Sequence, residues 1–244
     1  MKQSTFPGRM IYSMLFLLVS CSGGGNEKKA TTDSTAMDTT KVVEAPKVTT
    51  ITTPENMLVV THKVANFAKW MAAYDAHDSA RLASGIHSYV IGRGFKDSNM
   101  VMIALKVDDT AKAKAFGKDP GLKKAMQKGG VIGMPTIALN TMVFQDTVSL
   151  STDLRSRTTF MVKDWAAWQK AFEDGKQQRL DNGITVRAYG HQLGNDKKVV
   201  LVTAVMDTAK AFAYYKSDAL KKRREASGVI GEPDRFLYRV VKRY

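Results

Sequence analysis

Hydrophobic positions in residues 57–244 recur with the period of two typical of strands and, between those stretches, with the helical period of 3.6. Asn66 is a residue type that caps a helix start, Gly85 is a type that ends a helix, and Pro120 interrupts a helical stretch. In the first half this pattern predicts a strand over 57–64, a helix over 66–84, strands over 86–95 and 100–107, an interrupted helix over 109–128 and a strand over 136–144. The order is βαββαβ, which is the ferredoxin-like unit.

The second half of the chain repeats the first. Residues 57–144 align with 155–242 at a fixed offset of 98, without gaps, and 29 of the 88 positions are identical. One such unit leaves a whole sheet face bare, and two units in one chain can cover each other. We therefore predict an α+β protein of two tandem ferredoxin-like repeats, 57–150 and 151–244. Their sheets form an intramolecular, pseudo-dimeric α/β barrel with the helices outside, so a higher oligomer is not required.

The first 56 residues have a different character. Basic Lys2 and Arg9 precede an apolar stretch over 10–19 that is too short to span a bilayer and is typical of a signal peptide. The sequence Leu18-Val-Ser-Cys21 resembles the lipobox of bacterial lipoproteins, which implies a signal peptide over 1–21 and acylation of Cys21. Residues 22–56 are Thr-rich and contain no aromatic residue, so we predict a flexible linker.

This N-terminal pattern predicts a location in the cell envelope. The protein is expected to be exported and anchored by the acylated Cys21 to membrane lipid, on the extracytoplasmic side of a bacterial membrane, with the outer membrane favoured. The stretch over 10–19 is the longest candidate for a membrane segment.

The composition limits the kinds of site and partner that the chain can have. With 44% hydrophobic and 25% charged residues, the chain is of globular type, and its single cysteine excludes an intramolecular disulfide. Its four histidines show no HExxH spacing, so no metal site is predicted. The net charge is +14, with a basic run over 221–224 that is interpreted either as a solvated face or as a contact for anionic lipid. Nucleic acid is not an expected partner, because the third strand, 100–107, has no aromatic residues to stack on bases.

One helix face carries the candidate site. At 100° per residue, its members fall within about 80° of one another. They are Phe67, Trp70, Tyr74, His77 and Arg81, matched in the second repeat by Trp165, Trp168, Phe172, Gly175 and Arg179. One interpretation is a face that simply packs on the sheet. The other is a pocket between helix and sheet that binds a small aromatic or anionic molecule, with ligand-binding residues Trp70, Tyr74, His77, Arg81, Trp168 and Arg179.

The motifs of both repeats resemble a known group. These motifs are Val64-x-Asn66-Phe67-x-x-Trp70-x-x-x-Tyr74-Asp75-x-His77-x-x-x-Arg81-x-x-x-Gly85-Ile86 and Gly130-Val131-Ile132-Gly133-x-Pro135. They are similar to the dimeric α/β-barrel proteins related to antibiotic biosynthesis monooxygenases, some of which are cofactor-free oxygenases. The resemblance implies the barrel fold and a site near this helix.

Two functions remain open at this point. In the first, the chain is a binding module that holds a small molecule without changing it. In the second, it is a cofactor-independent, monooxygenase-like enzyme in which His77 or His62 acts as the base and Arg81 stabilises the anion that forms. His62 also has a structural interpretation, because the second repeat has Phe160 at the same position. No cofactor is predicted in either case.

Overall fold

The computed structural model describes residues 49–244. The predicted signal peptide, Cys21 and the linker up to residue 48 lie outside the described residues.

The described chain folds into nine strands and eight helices. The strands are β1 (Thr50–Ile51), β2 (Glu55–Val64), β3 (Ile86–Gly94), β4 (Met100–Val107), β5 (Val131–Asp146), β6 (Leu154–Val162), β7 (Ile184–Gln192), β8 (Asn195–Val205) and β9 (Val229–Arg243). The helices are α1 (Phe67–Ala76), α2 (Asp78–Ala83), α3 (Thr110–Phe116), α4 (Pro120–Lys128), α5 (Trp165–Asp174), α6 (Lys176–Asp181), α7 (Thr208–Tyr215) and α8 (Asp218–Ala226).

Eight of the strands close into a barrel. Their order is β5-β2-β4-β3-β9-β6-β8-β7, and β7 pairs back onto β5, while β1 adds to the end of β5. Each repeat supplies four neighbouring strands, and the two repeats meet at the β3–β9 and β5–β7 seams. The prediction of two ferredoxin-like repeats that form an intramolecular α/β barrel is therefore confirmed.

Glycine permits the close approach at both seams. A Cβ atom on Gly92 would lie 2.3 Å from the ring of Tyr238, and one on Gly190 would lie 2.1 Å from the carbonyl oxygen of Thr141. These two glycines occupy equivalent positions, 98 residues apart. Both positions need glycine for the same reason, because a backbone or side-chain group of the other repeat occupies the space that a Cβ atom would take.

The long strands β5 and β9 differ from the prediction. The sequence predicts a strand over 136–144, whereas β5 covers Val131–Asp146. Its first part pairs with β2 and its last part crosses the seam to β7, and β9 makes the same crossing from β6 to β3. Gly133, with φ +71°, lies in a bulge that lets the strand continue through a sequence that resembles a loop.

The helices are shorter than predicted. The expected helix over 66–84 is broken at His77 into α1 and α2, and the second repeat breaks in the same way at Gly175. The predicted caps are confirmed, since Asn66 accepts a hydrogen bond from the Lys69 amide at 2.9 Å and Asp164 accepts one from the Ala167 amide at 2.7 Å. The predicted interruption at Pro120 is also confirmed, with Asp119 capping α4.

The predicted linker ends earlier than expected. Within the stretch assigned to it, Thr50–Ile51 form β1 on β5 and Glu55 begins β2. β1 pairs with the end of β5 that extends past the start of β2, so an otherwise bare edge is paired.

Apolar side chains pack on both faces of the sheet. One cluster fills the barrel interior and joins residues of both repeats, among them Met57, Met102, Val200 and Tyr238. Further clusters lie between the helices and the outer sheet face of each repeat, around Trp70 in the first and Trp168 in the second. The helix–sheet layer of the first repeat is where the packing leaves space.

Candidate functional site

A cavity of about 570 Å³ lies between the helices and the sheet of the first repeat, and we call it the repeat-1 cavity. Strands β2, β4 and β5 form its floor, and α1 to α4 form its walls. Most of its lining is apolar. The apolar residues include Leu58, Val60, Trp70, Ile103, Leu105, Phe116, Leu122, Met126, Met134, Ile137 and Leu139, and the polar ones are His62, Tyr74, His77, Arg81, Lys114 and Lys118.

His62 is the buried polar group on the floor. Alternation along β2 places it beside Val60 and Leu58 on the helix-facing side of the sheet. It is 5% exposed, and its ring centroid lies 5.6 Å from that of Trp70. Neither ring nitrogen has a hydrogen-bond partner among residues 49–244. Burial lowers the pKa of His62 to about 4, so the imidazole is neutral at pH 7.

Two aromatic rings of α1 form a wall of the cavity. Trp70 and Tyr74, one helical turn apart, stack with their centroids 5.1 Å apart, and the phenol of Tyr74 shares a hydrogen bond of 2.7 Å with the hydroxyl of Ser88. Burial raises the pKa of Tyr74, more than the hydrogen bond with Ser88 and the charge of Arg81 lower it. This wall of the cavity is therefore made of neutral aromatic side chains.

His77 lies at the break between α1 and α2. Its backbone φ of −99° and ψ of 14° end the first helix and start the second, and its ring lies 5.8 Å from that of Phe116. Its Nδ1 atom is buried and has no partner within the described part of the chain. The break thus turns a polar ring towards the cavity.

Two of the three contacts that hold Arg81 recur in the second repeat; the ion pair with Asp78 does not, because Lys176 occupies the equivalent position. Its guanidinium donates to the carbonyl oxygen of Tyr74 at 2.7 Å and to Asp78 at 2.8 Å, and lies 3.7 Å from the centre of the Tyr74 ring. Arg179 likewise donates to the carbonyl oxygen of Phe172 and lies 3.7 Å from the centre of that ring. Because both repeats share this arrangement, we attribute it to bridging of the helix break, where the last carbonyl groups of the first helix need donors.

The second repeat has a much smaller space at the equivalent place, about 90 Å³, which we call the repeat-2 cavity. Larger side chains project into it. At the equivalent positions the repeat-1 cavity has smaller or uncharged residues. Tyr215 corresponds to Gly117, Arg223 to Ala125, Arg224 to Met126 and Arg235 to Ile137. Arg235 lies 3.5 Å from the centre of the Tyr215 ring, and burial lowers its pKa to about 10.

The position of His77 shows the same exchange. Gly175 replaces it in the second repeat, and the guanidinium of Arg223 occupies the position of the missing side chain, 2.4 Å from where a Cβ atom would lie. Arg223 also donates to Gln178 at 3.0 Å. Half of the basic run over 221–224 is therefore turned towards the protein, so the expectation of a uniformly solvated face holds only for Lys221 and Lys222, which are exposed.

The structure brings together most of the predicted site residues. His62, Trp70, Tyr74, His77 and Arg81 line the repeat-1 cavity, whereas Trp168 and Arg179 line the repeat-2 cavity. Their roles in binding stay predictions. Sequence reasoning missed Lys114 and Lys118 at the opening and exposed Met134 beside them. The mismatch of Gly117 with Tyr215 in the repeat alignment is the signal that would have indicated an open first cavity.

Between 49 and 244, no group of three or more His, Cys, Asp or Glu side chains is arranged to hold a metal ion. No helix in that same part of the chain has the length and apolar character needed to cross a membrane.

Comparison with known proteins identifies the fold. No family model matches the chain, and no curated protein matches it. Among solved structures, a monooxygenase candidate from Fusobacterium nucleatum is 13% identical with a TM-score of 0.52, over 78% of this chain and 93% of that one. An anthrone oxidase-like protein is 14% identical with a TM-score of 0.52, over 77% and 92%. A chlorite dismutase candidate is 15% identical with a TM-score of 0.50, over 77% and 95%.

These likenesses agree with the strand order described above. The chain has the dimeric α/β-barrel fold, with both halves of the barrel in one polypeptide. Identities of this size establish fold and not activity, so function has to be argued from the cavity itself.

Proposed function

We propose that the first repeat binds a small, mainly apolar molecule with an aromatic ring in the repeat-1 cavity. The observation that carries this proposal is the His62 imidazole, buried, neutral and unpaired within residues 49–244, on the floor of an apolar cavity of about 570 Å³. Cavities of about 300–1,000 Å³ with few polar groups are typical of small-molecule sites.

The polar groups indicate how such a molecule would be oriented. A neutral imidazole both donates and accepts hydrogen bonds, so His62 suits a hydroxyl or amide on the buried end of the ligand. The exposed Lys114 and Lys118 at the opening suit an anionic group at the other end. The sequence predicts an aromatic or an anionic ligand. In this orientation one ligand has both features, an aromatic part inside the cavity and an anionic group at its opening.

The repeat-2 cavity supports the proposal as an internal comparison. Its floor has Phe160 in place of His62, at nearly the same angle to the tryptophan, with centroids 5.5 Å apart and planes at 59°. The corresponding values for His62 and Trp70 are 5.6 Å and 58°. Packing therefore does not require a histidine here, and the unpaired imidazole of the first repeat calls for a ligand-based explanation.

Binding can be tested with 8-anilinonaphthalene-1-sulfonate, a flat aromatic probe that carries one anionic group. The G117Y variant introduces the residue of the second repeat into the first and is expected to weaken binding at least tenfold, because the ring would occupy the cavity. The matched control Y215G removes the same side chain from the second repeat and should leave the affinity within twofold of wild type. Equal affinity in wild type and G117Y, with unchanged circular dichroism, would reject the repeat-1 cavity as the site.

The natural ligand is addressed by a separate measurement. Mass spectrometry of small molecules that co-purify with the wild-type chain and are missing from G117Y should identify a compound with an aromatic ring. An absorbance spectrum of the same sample checks for a coloured cofactor, which would replace the present proposal.

A second candidate is a monooxygenase-like reaction in the same cavity. It is supported by the fold shared with a monooxygenase candidate and an anthrone oxidase-like protein. His62 is unprotonated at pH 7, as a base must be, although its lowered pKa makes it a weak one. His77 is the alternative base expected from the sequence, and Arg81, expected to stabilise the anion, lines the same cavity. Oxygen uptake with 1,8-dihydroxyanthrone, lost in H62F, is the expected result. The absence of uptake would reject this candidate and leave the binding proposal standing.

We also propose that the chain is a lipoprotein of the cell envelope. Support comes from the sequence alone: basic Lys2 and Arg9, the apolar stretch over 10–19 and the Leu-Val-Ser-Cys run that ends at Cys21. Metabolic labelling with an alkyne analogue of palmitate should mark the wild-type chain and not C21S. Equal labelling of both would contradict the assignment.

A further inference from the structure

The barrel interior contains a second, much smaller pocket of about 70 Å³ that neither function above uses. It lies near the β5–β7 seam and is bounded by both repeats. No described residue lines both this pocket and the repeat-1 cavity. Four arginines line it: Arg155, Arg157, Arg187 and Arg243.

These arginines are specific to the second repeat. The equivalent positions of the first repeat carry Met57, Val59, Tyr89 and Gln145, which line the same pocket from the other side. An apolar interior is therefore compatible with this fold. Three buried or half-buried guanidinium groups in one barrel, with a fourth at its exposed edge, need an explanation beyond folding.

The charges are poorly compensated. Arg155 is 4% exposed and donates to the carbonyl oxygens of Thr152 and Leu154, at 2.8 and 3.0 Å. Arg187 is 7% exposed, forms an ion pair with Asp146 at 3.3 Å and donates to the carbonyl oxygen of Val148 at 2.7 Å. Burial is the main cause that lowers the pKa of each of them. Tyr238 partly opposes it at Arg155 and Asp146 at Arg187, while the charge of Arg243 lowers both pKa values further. Buried cations are costly unless counter-charges offset their desolvation, and here Asp146 is the one lining carboxylate among residues 49–244 for these four arginines.

Arg157 adds a donor with no acceptor. Its Nε atom is buried and has no hydrogen-bond partner within residues 49–244. In that same part of the chain, Asp146 supplies the one carboxylate of the lining, and nearby Asp153 is engaged by Arg239. The amide of Asn140 and the phenol of Tyr238 also line the pocket and can act as donors.

We propose that this arginine pocket binds a small tetrahedral oxyanion, of the size of phosphate or sulfate. Forked guanidinium donors match the oxygen geometry of such ions, and one ion would compensate like charges contributed by β6, β7 and β9. The volume of about 70 Å³ admits an inorganic anion and excludes an organic molecule of the size expected in the repeat-1 cavity. The ion would bridge the two repeats at their seam.

Calorimetric titration of the full-length chain with inorganic phosphate tests the proposal, in detergent and at constant ionic strength set with chloride. We expect one saturable site. R155M, which introduces the residue of the first repeat, should weaken phosphate binding at least tenfold. R243Q changes an exposed arginine at the pocket edge and should weaken it about threefold without affecting folding. R239Q, a charge loss on the same strand β9 but outside the pocket, should retain the wild-type affinity.

Thermal unfolding supplies a second readout. At phosphate concentrations of roughly 100 times Kd, the wild-type Tm should rise by about 5–10 °C, and the rise should be smaller in R155M. The comparison between variants removes the general stabilising effect of phosphate, which acts on all of them. Absence of saturable heat in the wild type, or equal affinity in wild type, R155M and R243Q, would overturn the proposal. Neither result bears on the repeat-1 cavity, whose probe and variants are different.

Discussion

The buried imidazole of His62 predicts that the protein loses stability in mild acid. An ordinary histidine has a pKa of 6.5, whereas burial lowers that of folded His62 to about 4. Above pH 6.5 the side chain is neutral in both states and makes no pH-dependent contribution. As the pH falls below 6.5, the unfolded chain binds a proton that the folded chain does not, so the free energy of unfolding decreases until the pH reaches about 4.

The size of this loss follows from the two pKa values. At pH 5.0, the unfolded histidine is almost fully protonated and the folded one almost fully neutral, which corresponds to about 2 kcal/mol of lost stability. Below pH 4 the loss reaches its limit of about 3 kcal/mol. For a domain whose total stability is of the order of 5–15 kcal/mol, such a change is readily measured.

Urea denaturation at pH 7.5 and pH 5.0 provides the assay. The H62F variant carries the residue of the second repeat and should show a pH-dependent loss smaller than that of wild type by about 2 kcal/mol. The reciprocal variant F160H places an imidazole in nearly the same geometry beside Trp168 and should show a loss larger by a similar amount. The remaining histidines are common to all three proteins, so their contributions cancel.

Two results would refute this reasoning. If wild type and H62F lose the same free energy between pH 7.5 and pH 5.0, the His62 imidazole is not buried unpaired. A pKa near 6.5, measured by following the His62 ring protons with NMR in the folded protein, would lead to the same conclusion.

Three further variants test other parts of the structure. G190A places a Cβ atom against the Thr141 carbonyl at the β5–β7 seam and should lower the free energy of unfolding by about 1–3 kcal/mol in urea denaturation; an unchanged midpoint would contradict the close approach. D119A removes the cap of α4 and should lower it by about 1 kcal/mol, while capping restored by D119S should recover most of the loss. R81M removes two hydrogen bonds at the helix break and should lower stability by about 1–3 kcal/mol while changing probe affinity less than twofold; a large loss of affinity without a loss of stability would instead support the role in anion stabilisation expected from the sequence.

The fold was largely predictable because its signals are local. Asn66 and Asp164 cap helices through contacts three residues away, and Gly85, with φ +64°, ends the helical stretch where glycine is expected to. Strand alternation and the offset of 98 then indicate two equal units. The break at His77 was missed because helical periodicity continues across it.

The candidate site was predictable only in part. Helical spacing placed Trp70 and Tyr74 on one helix face, and the structure shows that this face and His62 of β2 line one cavity. The same reasoning treated both repeats alike, although the second is filled by Arg223 and Tyr215 from α8 and α7. Whether a cavity remains open depends on the summed volumes of side chains from four or five separate elements. These volumes cannot be compared until the fold shows which side chains share one space.

The amino-acid sequence by itself therefore determined the elements, their order, the duplication and the barrel, since caps, turns and alternation act over a few residues. The tertiary structure decided which repeat keeps a cavity, that Arg81 bridges a helix break, and that the arginines of β6, β7 and β9 line one pocket of the barrel. These features arise from residues distant in sequence that become neighbours only when the barrel closes, and the balance of packing and charge among them exists only in the folded chain.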